Sequence, residues 1–200
     1  MTGSKQIEAI INSWPRGTIF FPEDFSVGET RHTVSKALSR LCNCNFIIRI
    51  GQGVYCYPKV DDKYGLGVLH PSTDEIAYAI ARRDKMRIVP NGSYALNKLG
   101  LSTQLQANAV FCTDGSSRRV KVGNGQGILF MNTTEMKWFS YKSALMQLIV
   151  AALREIGLGL VKDEELEIIR EHLKHVSDED FNHDVALAPV WVQKILMELR

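Results

Sequence analysis

The chain has 200 residues, room for one large domain or two of about 100 residues each. Its 45% hydrophobic and 23% charged residues are ordinary globular composition, which excludes a mostly disordered or fibrous chain. The formal charge of +2 hides an uneven spread: residues 1–63 carry 8 basic and 6 acidic side chains, residues 64–143 carry 10 and 5, and residues 144–200 carry 6 and 11.

Along the chain, Ser4 is placed to cap a first helix whose apolar residues Ile7, Ile10, Ile11 and Trp14 follow helical spacing, and Pro15-Arg16-Gly17 stops it. Thr18–Phe21 is β-prone, and Pro22-Glu23-Asp24-Phe25 reads as a helical first turn. After Gly28 a second helix turns Val34, Ala37, Leu38 and Leu41 inward. Its outer face carries His32, Ser35, Lys36, Ser39, Arg40 and Asn43, with no acid among them. Phe46–Ile50 and Val54–Tyr57, joined by Gly51-Gln52-Gly53, form a β-hairpin pattern. Helix, strand, short helix, long helix and hairpin is the order of a winged helix-turn-helix. In that arrangement a helix fits the major groove and the hairpin reaches flanking DNA. The predicted DNA-binding residues are His32, Ser35, Lys36, Ser39, Arg40, Arg49 and Gln52, with Lys59 beside the hairpin. The plainer alternative is a winged helix used for protein contact, its charges only solvating a helix.

The second region reads as mixed α/β. A helix follows Ser72 or Thr73 with Ile76, Ala77 and Ile80 inward, and Arg87–Val89 is strand-like. Pro90-Asn91-Gly92 is a turn, and Tyr94–Leu99 is a short helix stopped by Gly100. Ala109–Thr113, Arg118–Val122 and Gly127–Met131 are strands separated by Asp114-Gly115-Ser116 and Gly123-Asn124-Gly125 turns. Tyr141–Ile156 returns to an amphipathic helix. The stretch Asp61–Leu69 shows no strong periodicity and reads as a linker that tolerates cutting.

Three blocks carry a resemblance: Ala37–Leu41 with Arg49–Pro58, then Asn91–Gln104, then Thr113–Val120. Together the chain resembles the AbiEi-type antitoxins of bacterial type IV (abortive infection) toxin–antitoxin systems. The resemblance implies an N-terminal winged helix that binds promoter DNA and represses its own operon. It also implies a second domain that counteracts a cognate nucleotidyltransferase-like toxin, without requiring a stable complex with it. The acidic tail after Gly157 carries no matching motif.

Rival chemistry is weaker. Gly123-x-Gly125-x-Gly127 lacks the following helix and Lys-Ser/Thr of a phosphate loop. Gly115-Ser116 is not followed by the spaced carboxylates that nucleotidyl transfer needs to hold a metal. Cys42-x-Cys44 with Cys56 has no second ligand pair for zinc. His172, His175 and His183 read as solvated or capping histidines, and no Ser/His/Asp arrangement emerges. In the tail, Leu166, Ile169 and Leu173, with Val190, Trp191, Ile195, Leu196 and Leu199, read as core packing or as a partner surface. Arg82, Arg83 and Lys85, and Arg118, Arg119 and Lys121, are basic clusters that extend a phosphate track, face RNA or the toxin, or are simply solvated. Four cysteines do not make a disulfide scaffold, and the longest apolar stretch, Ala144–Leu153, is far short of a bilayer span of about 20 residues.

The expectation is an α+β protein, with a winged helix-turn-helix over 1–60, a mixed α/β antitoxin-like domain over 70–200, and a helical acidic tail from about 157. It is expected to be cytoplasmic and non-enzymatic, without metal, cofactor or membrane partner, and to bind promoter DNA as a homodimer. The alternatives are a winged-helix transcription regulator with a ligand-sensing second domain, and a nucleotide-handling enzyme with a DNA-binding appendage.

Overall fold

The computed structural model describes residues 3–25, 30–104, 107–123 and 126–200. The first half of the chain forms α1 (Gly3–Ser13), β1 (Ile19–Phe20), a 3-10 turn (Pro22–Phe25), α2 (Arg31–Asn43), β2 (Ile48–Gly51), β3 (Val54–Cys56), β4 (Lys59–Asp61), β5 (Gly67–Leu69) and α3 (Thr73–Arg83). The second half forms β6 (Ile88–Pro90), α4 (Gly92–Lys98), β7 (Asn108–Thr113), β8 (Arg118–Val122), β9 (Gln126–Asn132), another 3-10 turn (Met136–Ser140), α5 (Ala144–Ile156), α6 (Asp163–Leu173), α7 (Asp178–Val185) and α8 (Val190–Leu199). The fold is α+β. No helix among the described residues is long and apolar enough to cross a membrane.

Two compact units result: residues 1–84 with 120–126, and residues 85–119 with 127–200. The sequence reading sets a border at 60–70, whereas the chain changes units after Asp84. The reason lies in α3. Arg82 Nη2 donates to the Ile19 carbonyl at 3.3 Å, and the Arg83 guanidinium lies 4.5 Å over the Phe21 ring, so α3 belongs with β1. A capping box between Ser72 and Glu75 starts that helix.

In the first unit, Ile7 and Ile11 of α1 meet Val34, Ala37, Leu38 and Leu41 of α2 in one core. Phe20 stacks on Tyr55 at 5.9 Å and meets Phe25 edge-on at 5.7 Å, so the aromatic residues close the space between helices and strands. Two expected helix starts differ. Ser4 lies inside α1, not ahead of it, and Thr30 caps α2 by accepting from the Thr33 amide. Gly28, where the sequence reading starts α2, lies outside the described residues.

Strand β1 pairs with β3 (Ile19↔Cys56, Phe20↔Tyr55), and β3 pairs with β2. Because Gly51 pairs with Val54, the hairpin turn is the two residues Gln52-Gly53, one shorter than expected. Gly53 has φ +70°, a conformation that side chains with a Cβ resist. Gly51 serves a different purpose. The far edge of β2 is met by β8 at Gly51↔Val122, and a Cβ on Gly51 would stand 2.7 Å from the Lys121 carbonyl oxygen. Only glycine admits that approach.

The expected linker is also structured. β4 and β5 form their own two-stranded sheet (Lys59↔Leu69, Val60↔Val68, Asp61↔Gly67). Asp61 Oδ1 accepts from the amides of Lys63 and Tyr64, which turns the chain between them.

The second unit is built on β7 and β9, which run parallel from Asn108↔Gly127 to Thr113↔Asn132, with β6 antiparallel on the other side of β7. Of the three strands expected in succession, β7 and β8 are therefore not neighbours: β9 lies between β7 and the start of β8. The Gly123-Asn124-Gly125 turn lies partly outside the described residues. Helices α4 to α8 share one core, in which Ile149, Val150 and Leu153 of α5 meet Ile169, Leu173, Phe181, Val185, Val192 and Leu196. The tail thus packs as core, while Val190 stays 69% exposed. Asp184 is fully buried and accepts from the Lys142 and Ser143 amides at 2.9 and 2.8 Å, just ahead of α5. Its charge compensates the positive end of that helix.

Candidate nucleic-acid interface

Helix α2 buries Val34, Ala37, Leu38 and Leu41, and this orientation leaves His32, Ser35, Lys36, Ser39 and Arg40 exposed together. They form two adjacent i, i+4 stripes, one of His32, Lys36 and Arg40 and the other of Arg31, Ser35 and Ser39. Arg31, the first residue of α2 behind the Thr30 cap, is also exposed and adds to this face a cation that the predicted set omits. His32, Ser35 and Ser39 offer hydrogen-bonding groups suited to base edges, and the cations Arg31, Lys36 and Arg40 suit phosphate. Arg40 Nη2 lies 3.7 Å from Glu8 Oε2, with both side chains largely exposed. Such a pair is worth little in water and yields readily to a stronger anion.

The hairpin contributes Arg49 and Gln52, both exposed. Arg49 Nε donates to the Gly51 carbonyl at 3.3 Å, which orients the guanidinium along its own strand. Lys59 is exposed on β4, its stem lying over Gly17. Behind the hairpin, Arg49, Ile50, His70, Thr73, Ile76 and Val122 line an open cleft of about 490 Å³.

The two further basic clusters do not stay together. Arg82, Arg83 and Lys121 belong to the first unit, and Lys85, Arg118 and Arg119 to the second. Arg83 holds Asp84 through two hydrogen bonds of 2.8 and 3.1 Å, and Arg118 lies 5.5 Å over the Phe130 ring, so these two are structural in part. Arg119 and Lys121 point to the same exposed side of β8, as strand alternation requires.

In the second unit, the Asn91-Gly92 block borders a cleft of about 260 Å³ lined also by Cys112, Thr133, Glu135, Trp138, Arg154 and Glu155. Arg154 grips Glu135 with both terminal nitrogens at 2.8 and 3.1 Å and lies 4.7 Å over Trp138. That grip holds the Glu135 carboxyl below its usual range and raises Arg154. Burial pushes the Cys112 thiol up, away from a reactive thiolate.

The cysteines considered for zinc are free: Cys44 Sγ donates to the Leu41 carbonyl, and Cys56 is buried in β3 with its pKa pushed up to about 11 by burial. Among the described residues no group of three or more His, Cys, Asp or Glu is placed to hold a metal ion. His172 Nε2 meets the Leu99 carbonyl at 3.1 Å behind α4, and His183 Nδ1 meets Asp184 at 2.7 Å.

These features define an α+β protein of two compact units, the first presenting an acid-free helix face beside an exposed hairpin. Residues 6–181 match the profile described as Family of unknown function (DUF6088), and the chain belongs to that family. No curated protein matches. Among solved structures, the chain is similar to the Rv2827c protein from Mycobacterium tuberculosis, with 11% identity and a TM-score of 0.45 over 99% of this chain and 82% of that one.

Proposed function

We propose that this protein is a winged-helix DNA-binding antitoxin: it represses its own operon and counteracts a nucleotidyltransferase-like toxin. The observation that carries the DNA-binding half is the outer face of α2, where His32, Ser35, Lys36, Ser39 and Arg40 are exposed together while the opposite face is core. A helix of this width enters the major groove, and the Gln52-Gly53 turn reaches toward flanking backbone. The antitoxin half is supported by the Asn91–Gln104 and Thr113–Val120 blocks, which share one compact unit up to Arg119.

The test has two arms. Replacing Lys36 and Arg40 by alanine should weaken binding to a duplex taken from upstream of the gene. It should also lower the slope of log affinity against log salt by about 0.9 for each phosphate that is no longer neutralised. The same double variant should still restore growth when a neighbouring toxin gene is induced from an unrelated promoter. Unchanged affinity and slope, with the fold intact, would remove α2 from the interface. Failure of the wild-type chain to rescue growth would remove the antitoxin role. A second reading, a transcription regulator with a ligand-sensing second unit, draws on the cleft beside Asn91 and Glu135. A small molecule that saturates that cleft and shifts DNA affinity would favour it.

A further inference from the structure

The geometry points to Lys121 as a DNA-backbone contact of the hairpin, which makes the nucleic-acid surface of the first unit discontinuous in sequence. This inference rests on the DNA-binding reading above. Strand β2 uses one edge for β3 and gives the other to β8, at Gly51↔Val122. The Gly123 amide donates to the Ile50 carbonyl at 2.8 Å, which fixes the antiparallel alignment on the far side of that pair. One residue before Val122 on β8 stands Lys121, next to the strand end that leads into the exposed turn residue Gln52. The same pairing sets the Lys121 backbone against Gly51, where a Cβ would stand 2.7 Å from the Lys121 carbonyl oxygen.

Along β8 the side chains alternate, with Val122 buried and Lys121 and Arg119 exposed. Lys121 therefore stands beside the turn with its ammonium free to reach solvent. Arg49 precedes the same turn on β2, so the hairpin end draws a cation from each of two strands about 70 residues apart in sequence. A lysine ammonium is a point charge on a flexible stem, suited to a phosphate and poor at reading a base edge. Its occupant is the DNA sugar–phosphate backbone next to the hairpin.

The experiment uses the full chain, a duplex from upstream of the gene, and an unrelated duplex of equal length and composition, followed by fluorescence anisotropy over about 50–200 mM salt. Lys121→Gln should lower affinity about eightfold at 0.1 M salt on both duplexes alike, and reduce the salt slope by about 0.9, the worth of one released counterion. Lys121→Arg should restore the slope. Gly51→Ala changes no charge, yet should weaken binding to a similar degree by pushing β8 from β2. If Lys121→Gln leaves slope and affinity unchanged while Lys36→Gln lowers both, Lys121 lies off the surface and the α2 reading survives. If Lys121→Gln acts on one duplex only, it reads sequence and the backbone assignment fails. If the wild type shows no salt-dependent binding to either duplex, the reading itself fails and Lys121 with it.

Discussion

Gly92→Ala should destabilise the second unit although it places a better helix former in α4. The ideal Cβ would meet Glu155 Oε2 at 2.5 Å, Glu155 Cβ at 2.6 Å and the Ala151 carbonyl oxygen at 3.0 Å. The carboxylate could swing away, but the Glu155 Cβ and the Ala151 carbonyl are fixed to α5 and cannot. Relief requires α4 and α5 to separate, and both are anchored in the same core through Ala95, Leu99, Ala151 and Ala152. Overpacking of this kind costs about 1–3 kcal/mol, offset by up to about 1 kcal/mol of helix propensity. A net loss of about 1–2 kcal/mol corresponds to roughly 2–8 °C in melting temperature for a chain of this size. Thermal unfolding followed by tryptophan fluorescence, with circular dichroism confirming an intact fold, measures it. The double change Glu155→Ala with Gly92→Ala should recover little, because the Cβ of residue 155 remains. Full recovery would show that only the carboxylate was in the way and would refute the fixed-backbone argument.

Asp184→Ala should cost about 1–3 kcal/mol, since it removes a fully buried carboxylate and leaves two part-buried amides ahead of α5 without their acceptor; Asp184→Asn should recover part of this. Equal stability of the alanine variant in urea unfolding would exclude that role. The pH dependence follows from the Glu135 carboxyl, held below its ordinary value by the Arg154 guanidinium. A depressed folded-state value means the pair stabilises fully above about pH 5 and loses its contribution as pH falls through the acid range below. Because both side chains are partly exposed, that contribution stays below about 1 kcal/mol. Glu135→Gln should flatten the acid limb of melting temperature against pH, and an unchanged limb would show that the pair is screened.

The parts legible in the sequence are those governed by neighbours along the chain. The face of α2 follows from Val34, Ala37, Leu38 and Leu41 alone, and the β2–β3 hairpin from its glycines. What is not legible depends on partners far away in sequence. Nothing beside Asp184 marks it as an acceptor for amides 41 and 42 residues earlier. Gly51 looks like a turn residue until β8 is set against it. The parallel pairing of β7 with β9 is invisible locally, since turn residues between strands imply hairpins whichever strand intervenes. The β4–β5 hairpin leaves no periodic signal because its strands are three residues each, too short for alternation to register. The candidate interface shows the same split: the exposed α2 residues and Arg49–Gln52 follow from local pattern, while the approach of the Lys121 backbone to Gly51 does not.

The return of residues 120–126 to the first unit has a consequence for the order in which the protein is made. After Asp84 leaves the peptidyl-transfer centre, about 40 more residues must be added before β8 exists. At about 5–20 residues per second that takes roughly 2–8 s. Throughout that interval α1, α2 and the β2–β3 hairpin have all been synthesised, but the outer edge of β2 has no partner strand. An open strand edge invites pairing with other chains, and neighbouring ribosomes on one message hold identical ones close by. Codon speed between positions 85 and 126 therefore sets how long each nascent chain stays exposed to its siblings, and slowing it should shift the product toward entangled species.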